Sequence, residues 1–367
     1  MIHTLKKANV FLVPTKGKHM RPIGRIVAVA AAGTMAFGLA ACSTSNTSKS
    51  GSDAAASGSD SAAKEEVTEQ SNEVPAGDGT KTIYLVSKGF QHRFWQAVKE
   101  GAEQAGTEFN YKIQFVGPDD ETKVTQQLDQ LQAALDTSPA AIGLAALDSG
   151  AATPLLTQIE SAGIPLVAFD SGVDSDLPLT TVSTDNKAAA AEAAKHMIEL
   201  LKGKTGSVGV ICHDATSTTG KQRCDGFKEY FKANAPEGLK LLEEQIAGEV
   251  GKAADTSKAI IQANDDIVGM YGSNEAAASG AIQGANESGK TLTVVGFDSG
   301  KTQIAAIKDG SQAGAITQAP KLMGYKTVTA AIQAINGIAL PKTIDSGFYW
   351  YDASNIDSDE IAPNLYE

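Results

Sequence analysis

Lys88, His92 and Arg93 fall within six residues of one another, beside Phe90, Phe94 and Trp95, in the segment KTIYLVSKGFQHRFW at 81–95. Donors set among aromatic rings suit a sugar: its C–H face packs on a ring, and its hydroxyls need hydrogen-bond partners. The competing assignment makes Phe94 and Trp95 core residues at the start of an amphipathic helix. Neighbouring residues on a helix do not share a face, so the two rings are not expected to serve one core, and at least one is expected to face a cleft.

The elements that must hold this segment follow from hydrophobic periodicity. Residues 82–87 form an apolar, β-branched run bounded by glycine, which predicts a buried strand; Phe94, Val98, Ala102 and Ala105 then recur at helical spacing. Further strand-like runs fall at 111–116, 141–145, 165–169, 208–212, 241–247, 267–272, 292–297 and 314–317. Helical patterns lie between them, at about 122–135, 151–162, 187–202, 218–234, 253–263, 275–287, 301–309 and 322–336. That alternation predicts an α/β fold of βαβ units, with parallel sheets covered by helices on both faces. Roughly 275 residues exceed what one core usually supports, so two lobes are expected, with a boundary near TTVSTDN at 180–186. Open sheets of this kind bind ligands beyond the carboxyl ends of their strands, where the 88–95 loop lies.

The first 41 residues are not expected to belong to the fold. Six basic residues precede the apolar run IVAVAAAGTMAFGLAA at 26–41, which ends at Cys42. A basic stretch, an apolar stretch and small residues before a cleavage point make a secretory signal. The run is shorter than the ~20 residues of a comfortable membrane span. LAAC at 39–42 resembles the lipobox of a bacterial lipoprotein, which implies a lipid on Cys42 as the mature N-terminus. MRPIGR at 20–25 alone makes a conventional basic region, so Met1 and Met20 both stay open as the start. Residues 43–80 are rich in Ser, Ala, Gly, Asp and Glu, too polar to order themselves, so 42–80 reads as a flexible tether. Without residues 1–41 the chain keeps 25 basic and 43 acidic residues, net −18, a balance that argues against nucleic acid as a partner.

Enzymatic chemistry finds little support. The sequence has no GxGxxG, no Walker loop and no G-x-S-x-G elbow; GFDSG at 296–300 has the wrong spacing. His92, His196 and His213 are scattered over different elements, so no metal site and no cofactor are expected. Asp170 and Asp298 as a glycosidase pair is a weak alternative. Cys212 closes a strand and Cys224 lies two turns into the next helix, which permits a disulfide if their Cα atoms come within about 7 Å; two small buried hydrophobes are the alternative. A bridge would also fix the neighbourhood of Arg223.

Five stretches together resemble the extracytoplasmic sugar-binding proteins of ABC transporters, specifically the ribose- and galactose-binding group with the type I periplasmic-binding fold. They are TIYLVSKGFQHRFWQAVKEGA at 82–102, AGIPLVAFDS at 162–171, TSTTGKQRCDGF at 216–227, YGSNEAAASGA at 271–281, and VVGFDSG at 294–300 with ITQAPKLMG at 316–324. The resemblance implies two Rossmann-like lobes joined by three crossover strands and closing like a hinge over one sugar. Lobe one would be 81–184 plus 319–347, and lobe two 185–318 plus 348–367. It further implies that Lys88, His92, Phe94 and Trp95 contact the ligand, the last two as stacking rings, and that Asp170 accepts two sugar hydroxyls. Arg223 would hold hydroxyls or a ring oxygen with its planar fork. Asn274 would act as a ligand contact, a helix cap or both, and Asp298 and Gln318 would complete the site from just beyond strand ends.

Two departures stand out. Ser171 occupies a place where relatives often carry arginine, a loss for Lys88 or Arg93 to offset. AGEVGK at 247–252 lacks the ring that ribose-binding relatives commonly have there, which argues against ribose itself. The implied role is a monomeric, lipid-anchored receptor on the outer face of the membrane, delivering a ribose-like pentose or a hexose to an ABC permease. Two alternatives stay open: a sensory receptor for a furanosyl autoinducer or polyol, and a receptor for a sugar acid drawn by the cationic first loop. A LacI-type repressor shares these lobes but is excluded by the missing helix-turn-helix and the export signal.

If Cys42 carries the anchor, Cys42→Ser releases the protein into the culture medium. Fractionation that finds the variant still on the envelope rules the lipid out as the anchor.

Overall fold

The computed structural model describes residues 73–89 and 92–366; the expected signal at 1–41, Cys42, Phe90, Gln91 and most of the expected tether lie outside them. The first sheet takes β1 (Thr82–Val86), β2 (Lys112–Val116), β3 (Ala141–Leu144), β4 (Leu166–Phe169) and β5 (Thr181–Ser183). Helices α1 (Arg93–Glu108), α2 (Val124–Asp136) and α3 (Thr153–Ser161) alternate with them. After α4 (Asn186–Leu200) the chain enters a second sheet through β6 (Gly206–Cys212), α5 (Thr218–Asn234), β7 (Leu239–Leu241), β8 (Gln245–Ile246) and α6 (Val250–Ala263). It continues through β9 (Ile267–Gly272), α7 (Glu275–Ser288), β10 (Thr293–Phe297), α8 (Lys301–Asp309) and β11 (Gly314–Gln318). Helix α9 (Pro320–Ile335) and β12 (Thr343–Asp345) return to the first sheet, and β13 (Phe348–Tyr351) ends in the second.

The strand orders are β12-β5-β4-β3-β1-β2 and β13-β11-β10-β9-β6-β7, with β8 paired to the far end of β6. Every pairing is parallel except β11 with β13. Parallel strands are covered on both faces, so they read as continuous apolar runs: β3, β4, β6 and β11 are buried at every position. In the first lobe α1 and α9 cover one face around Val98, Met323 and Ile332, while α2 and α3 cover the other around Leu131 and Ile159. The second lobe repeats the plan, with α4 and α5 on one side and α6 and α7 on the other.

Three differences from the sequence-based expectation have physical causes. The run 241–247 divides into β7 and β8 because the chain pairs with the two ends of β6, at 206–208 and 211–212, and leaves its middle; in the gap Glu244 accepts from Lys228 at 3.0 Å. Strands β12 and β13 lie outside the expected strand runs; both are short, and each is secured by pairing with a strand distant in sequence, β5 and β11. Residues 73–80, assigned by composition to the tether, are pinned to the first lobe. Val74 packs on its core, Gly77 N donates to Phe109 O at 2.7 Å, and Gln333 Nε2 donates to Glu73 O at 3.0 Å. Backbone bonds supply there what side-chain composition does not.

The chain crosses between sheets three times, after β5, β11 and β12, and the crossings converge on Thr184. Its hydroxyl donates to Gln318 Oε1 at 2.9 Å, lies 3.3 Å from Ser346 Oγ, and reaches Gly347 O at 3.3 Å. Helices α1 and α9 approach so closely that a Cβ on Gly101 would overlap the Lys321 carbonyl, and one on Gly324 the Val98 carbonyl. Gly101→Ala and Gly324→Ala are each expected to cost about 1–3 kcal/mol by forcing the helices apart; urea unfolding midpoints unchanged from wild type would contradict this packing.

Candidate ligand site

All nine residues assigned from the sequence line one cavity between the lobes, joined there by Glu121 and His213. The position follows from topology. Lys88 lies beyond β1, Glu121 beyond β2, Asp170 just after β4, His213 just after β6, Asn274 beyond β9 and Asp298 just after β10, while Gln318 ends β11. The cavity encloses about 20 Å³, room for a water molecule and not for a sugar, so a larger guest requires the lobes to part or side chains to re-aim.

Lobe one contributes the aromatic wall. Phe94 and Trp95 stand edge to face at 5.0 Å, and both are buried in the same core cluster. This corrects the expectation that the two rings would not share a core. They open α1, where the helix end abuts both the core and the cleft, and Trp95 also packs edge-on to Phe169 at 6.2 Å. Trp95 Nε1 donates to Glu121 Oε1 at 2.8 Å. Lys88 Nζ stands 3.8 Å from Glu121 Oε2 and donates across the cleft to Thr219 Oγ1 at 3.1 Å. His92 Nδ1 lies 3.8 Å from Glu275 Oε2 of lobe two. Arg93 is exposed and does not line the cavity, so Lys88 alone of the two offered cations stands in it.

Lobe two is more heavily braced. Arg223 Nε donates to Asn186 Oδ1 at 2.7 Å, its Nη1 donates to Ser273 O at 3.3 Å and lies 3.6 Å from Asp298 Oδ2, and the guanidinium stacks 3.8 Å from the Phe297 ring centre. Asp298 also accepts from Gln318 Nε2 at 2.7 Å and from the Glu275 backbone N at 3.0 Å. Asn274 caps α7 by accepting from Ala277 N at 2.9 Å while lining the cavity, so it fills both offered roles. His213 Nδ1 meets Ser273 Oγ at 2.7 Å and Nε2 lies 3.3 Å from Asp214 Oδ2, so with both nitrogens engaged it offers the cavity chiefly its ring. Cys212 and Cys224 are bridged, with Cα atoms 5.9 Å apart.

A model of the periplasmic binding protein domain matches residues 83–339. The chain belongs to the periplasmic binding protein family. It is 27% identical over 278 residues to the ribose import binding protein of Bacillus subtilis, covering 74% of this chain and 88% of that one. An ABC transporter solute binding protein from Agrobacterium vitis, solved with bound D-fucose, superimposes with a TM-score of 0.74 at 30% identity, covering 78% of this chain and all of that one. A second from the same organism, bound with α-D-tagatopyranose, gives 0.75 at 28% identity over 78% and 99% of the two chains.

The electrostatics of this binding protein set Asp170 apart. Only four non-glycine residues among those described have positive φ, and two of them are the cavity acids, Asp170 at 55° and Asp298 at 76°. Aspartate tolerates that region better than most residues, and here the turn follows the end of a strand at the cavity in both cases. Asp298 is met by donors, whereas the Asp170 carboxyl, 5% exposed, accepts no hydrogen bond from any described residue. Burial pushes its pKa up to about 6, against the pull of Lys88 and Arg223. Glu275 rises to about 7, again through burial, opposed by His92. Burial likewise drives His213 down to about 4, so its imidazole is neutral at physiological pH.

Glu121 and His213 escaped the sequence reading for different reasons. Three consecutive acids, Asp119, Asp120 and Glu121, follow β2, and nothing local tells which one turns inward. His213 immediately follows a strand, where open sheets place ligand residues, but it lies outside the stretches that carry the resemblance.

Because the unfolded chain sheds the Asp170 proton near 3.8, a folded-state value near 6 means that burying the charge costs on the order of 3 kcal/mol at neutral pH. Asp170→Asn is therefore expected to raise the melting temperature of the ligand-free protein at pH 7.5, and a lower one contradicts the assignment. If a sugar's hydroxyls donate to Asp170 they favour the ionised carboxyl, so affinity is expected to hold above pH 6 and to weaken toward tenfold per pH unit below it. Calorimetry showing equal or tighter binding at pH 5 would refute that linkage.

Proposed function

We propose that this chain is the solute-capturing lipoprotein of an ABC importer, closing two lobes over a neutral monosaccharide, a pentose or hexose, and presenting it to a membrane permease. In this reading lobe one spans 81–184 plus 319–347 together with the pinned residues 73–80, and lobe two spans 185–318 plus 348–367. Cys42 carries the lipid, and the body works as a monomer outside the cell membrane.

The observation that carries the reading is the Asp170 carboxyl: buried, held in left-handed backbone, and left without a donor by its own chain in a cavity lined by rings. Two adjacent sugar hydroxyls supply the missing bonds, each charge-assisted and so roughly twice as strong as a neutral one. The rings of Phe94 and Trp95 and the Arg223 fork suit the rest of a pyranose or furanose. The relatives that bind ribose, D-fucose and α-D-tagatopyranose support the same substrate class. A neutral guest is favoured over a sugar acid because three carboxylates lining the cavity, Glu121, Asp170 and Asp298, already outnumber the cations Lys88 and Arg223.

A thermal-shift screen of pentoses, hexoses, polyols and sugar acids is expected to single out neutral sugars, since a saturating ligand stabilises the folded state. Asp170→Ala should then weaken the responding sugar about tenfold or more while unfolding stays cooperative. Unchanged affinity in that variant would mean that the sugar binds elsewhere.

A further inference from the structure

Away from the crossovers, every hydrogen bond that spans the cleft among the described residues comes from one stretch of lobe two, 216–221. Thr216 O accepts from Ser149 N at 3.2 Å, and its Oγ1 donates to Leu147 O at 3.1 Å. Thr218 Oγ1 donates to Gly172 O at 3.2 Å, Thr219 Oγ1 accepts from Lys88 Nζ at 3.1 Å, and Lys221 Nζ donates to Ser149 Oγ at 2.9 Å.

This stretch is the tip of a covalent ring. Cys212 at the end of β6 is bridged to Cys224 in α5, a sequence separation of 12. The residues just inside the bridge on either side, His213 and Arg223, both line the cavity. One ring therefore holds ligand-site residues at its base and cleft contacts at its tip. Its interior is stiffened by Asp214, which accepts from Thr216 N at 2.9 Å, from Ser217 N at 2.7 Å and from Ser217 Oγ at 2.7 Å.

We propose that the Cys212–Cys224 bridge is a positioning element for ligand capture, fixing His213 and Arg223 in the geometry in which 216–221 meets lobe one. The inference rests on the ligand site assigned above. The fold itself does not require the bridge, since α5 is seated further along by Phe227 and Phe231 in the core shared with α4. What the bridge adds is a fixed spacing at the amino-terminal end of that helix, where cavity and cleft meet. A ring whose base is held covalently loses less conformational freedom when the lobes close, which appears as affinity.

The test compares the bridged protein with Cys212→Ala/Cys224→Ala by calorimetry and stopped-flow against D-ribose, D-allose, D-fucose, D-tagatose and D-arabinose, well below the unfolding temperature. Cys212→Val/Cys224→Ala, which refills the buried volume, serves where the double alanine does not fold. Affinity for a sugar that binds the bridged protein is expected to fall about tenfold, mainly through faster dissociation, with far-UV circular dichroism unchanged. A purely structural bridge would lower only the melting temperature. Equal affinity and dissociation rate with and without the bridge overturn the inference and leave the binding reading intact, whereas no binding by the bridged protein defeats both.

Discussion

A carboxylate taken out of water is costly unless donors meet it, and Asp170 is met by none from its own chain. Lys88 and Arg223 lower the cost from a distance without cancelling it, because each is committed elsewhere: Lys88 to Glu121 and Thr219, Arg223 to Asn186, Ser273 and Asp298. The acid on the opposite lobe is treated differently, since Asp298 is saturated by Gln318 and the α7 backbone. The two cavity acids thus differ: Asp298 is met by donors of its own lobe and Asp170 is not, a difference that a guest with adjacent hydroxyls would even out.

Gln318 links this chemistry to motion. Its Nε2 holds Asp298 and its Oε1 takes the Thr184 hydroxyl, which also touches the third crossover at Ser346 and Gly347. A guest that shifts Asp298 therefore acts on the one point where all three crossovers meet. It can bias closure only by binding the closed form better than the open one. The tail adds a further tie, with Tyr366 packing edge-on against Phe94 at 6.0 Å.

Much of this was legible in the sequence because parallel sheets write themselves plainly. Buried strands such as PLVAF and GVIC read as unbroken apolar runs, and the residue after each strand end was the natural place to look. What stayed hidden depends on distant pairing. Strands β12 and β13 exist through their neighbours, and the choice of Glu121 among three consecutive acids is made by Trp95 and Lys88, far off in sequence. The shared burial of Phe94 and Trp95 defeats a rule about helix faces because at a helix end two adjacent rings can meet one core. The order of residues 73–80 comes from backbone bonds to which composition is blind.

The account stands on the charge state of one side chain in two conditions. Carbon-13 NMR of selectively labelled aspartate, with Asp170→Asn to assign the signal, can follow its titration with and without a saturating sugar. The expected result is a pKa near 6 in the ligand-free protein that drops clearly when the sugar binds, because hydroxyl donors favour the ionised form. A bound-state pKa equal to or above the free one would mean that the sugar does not bond to Asp170, and the assigned mode of capture would be wrong.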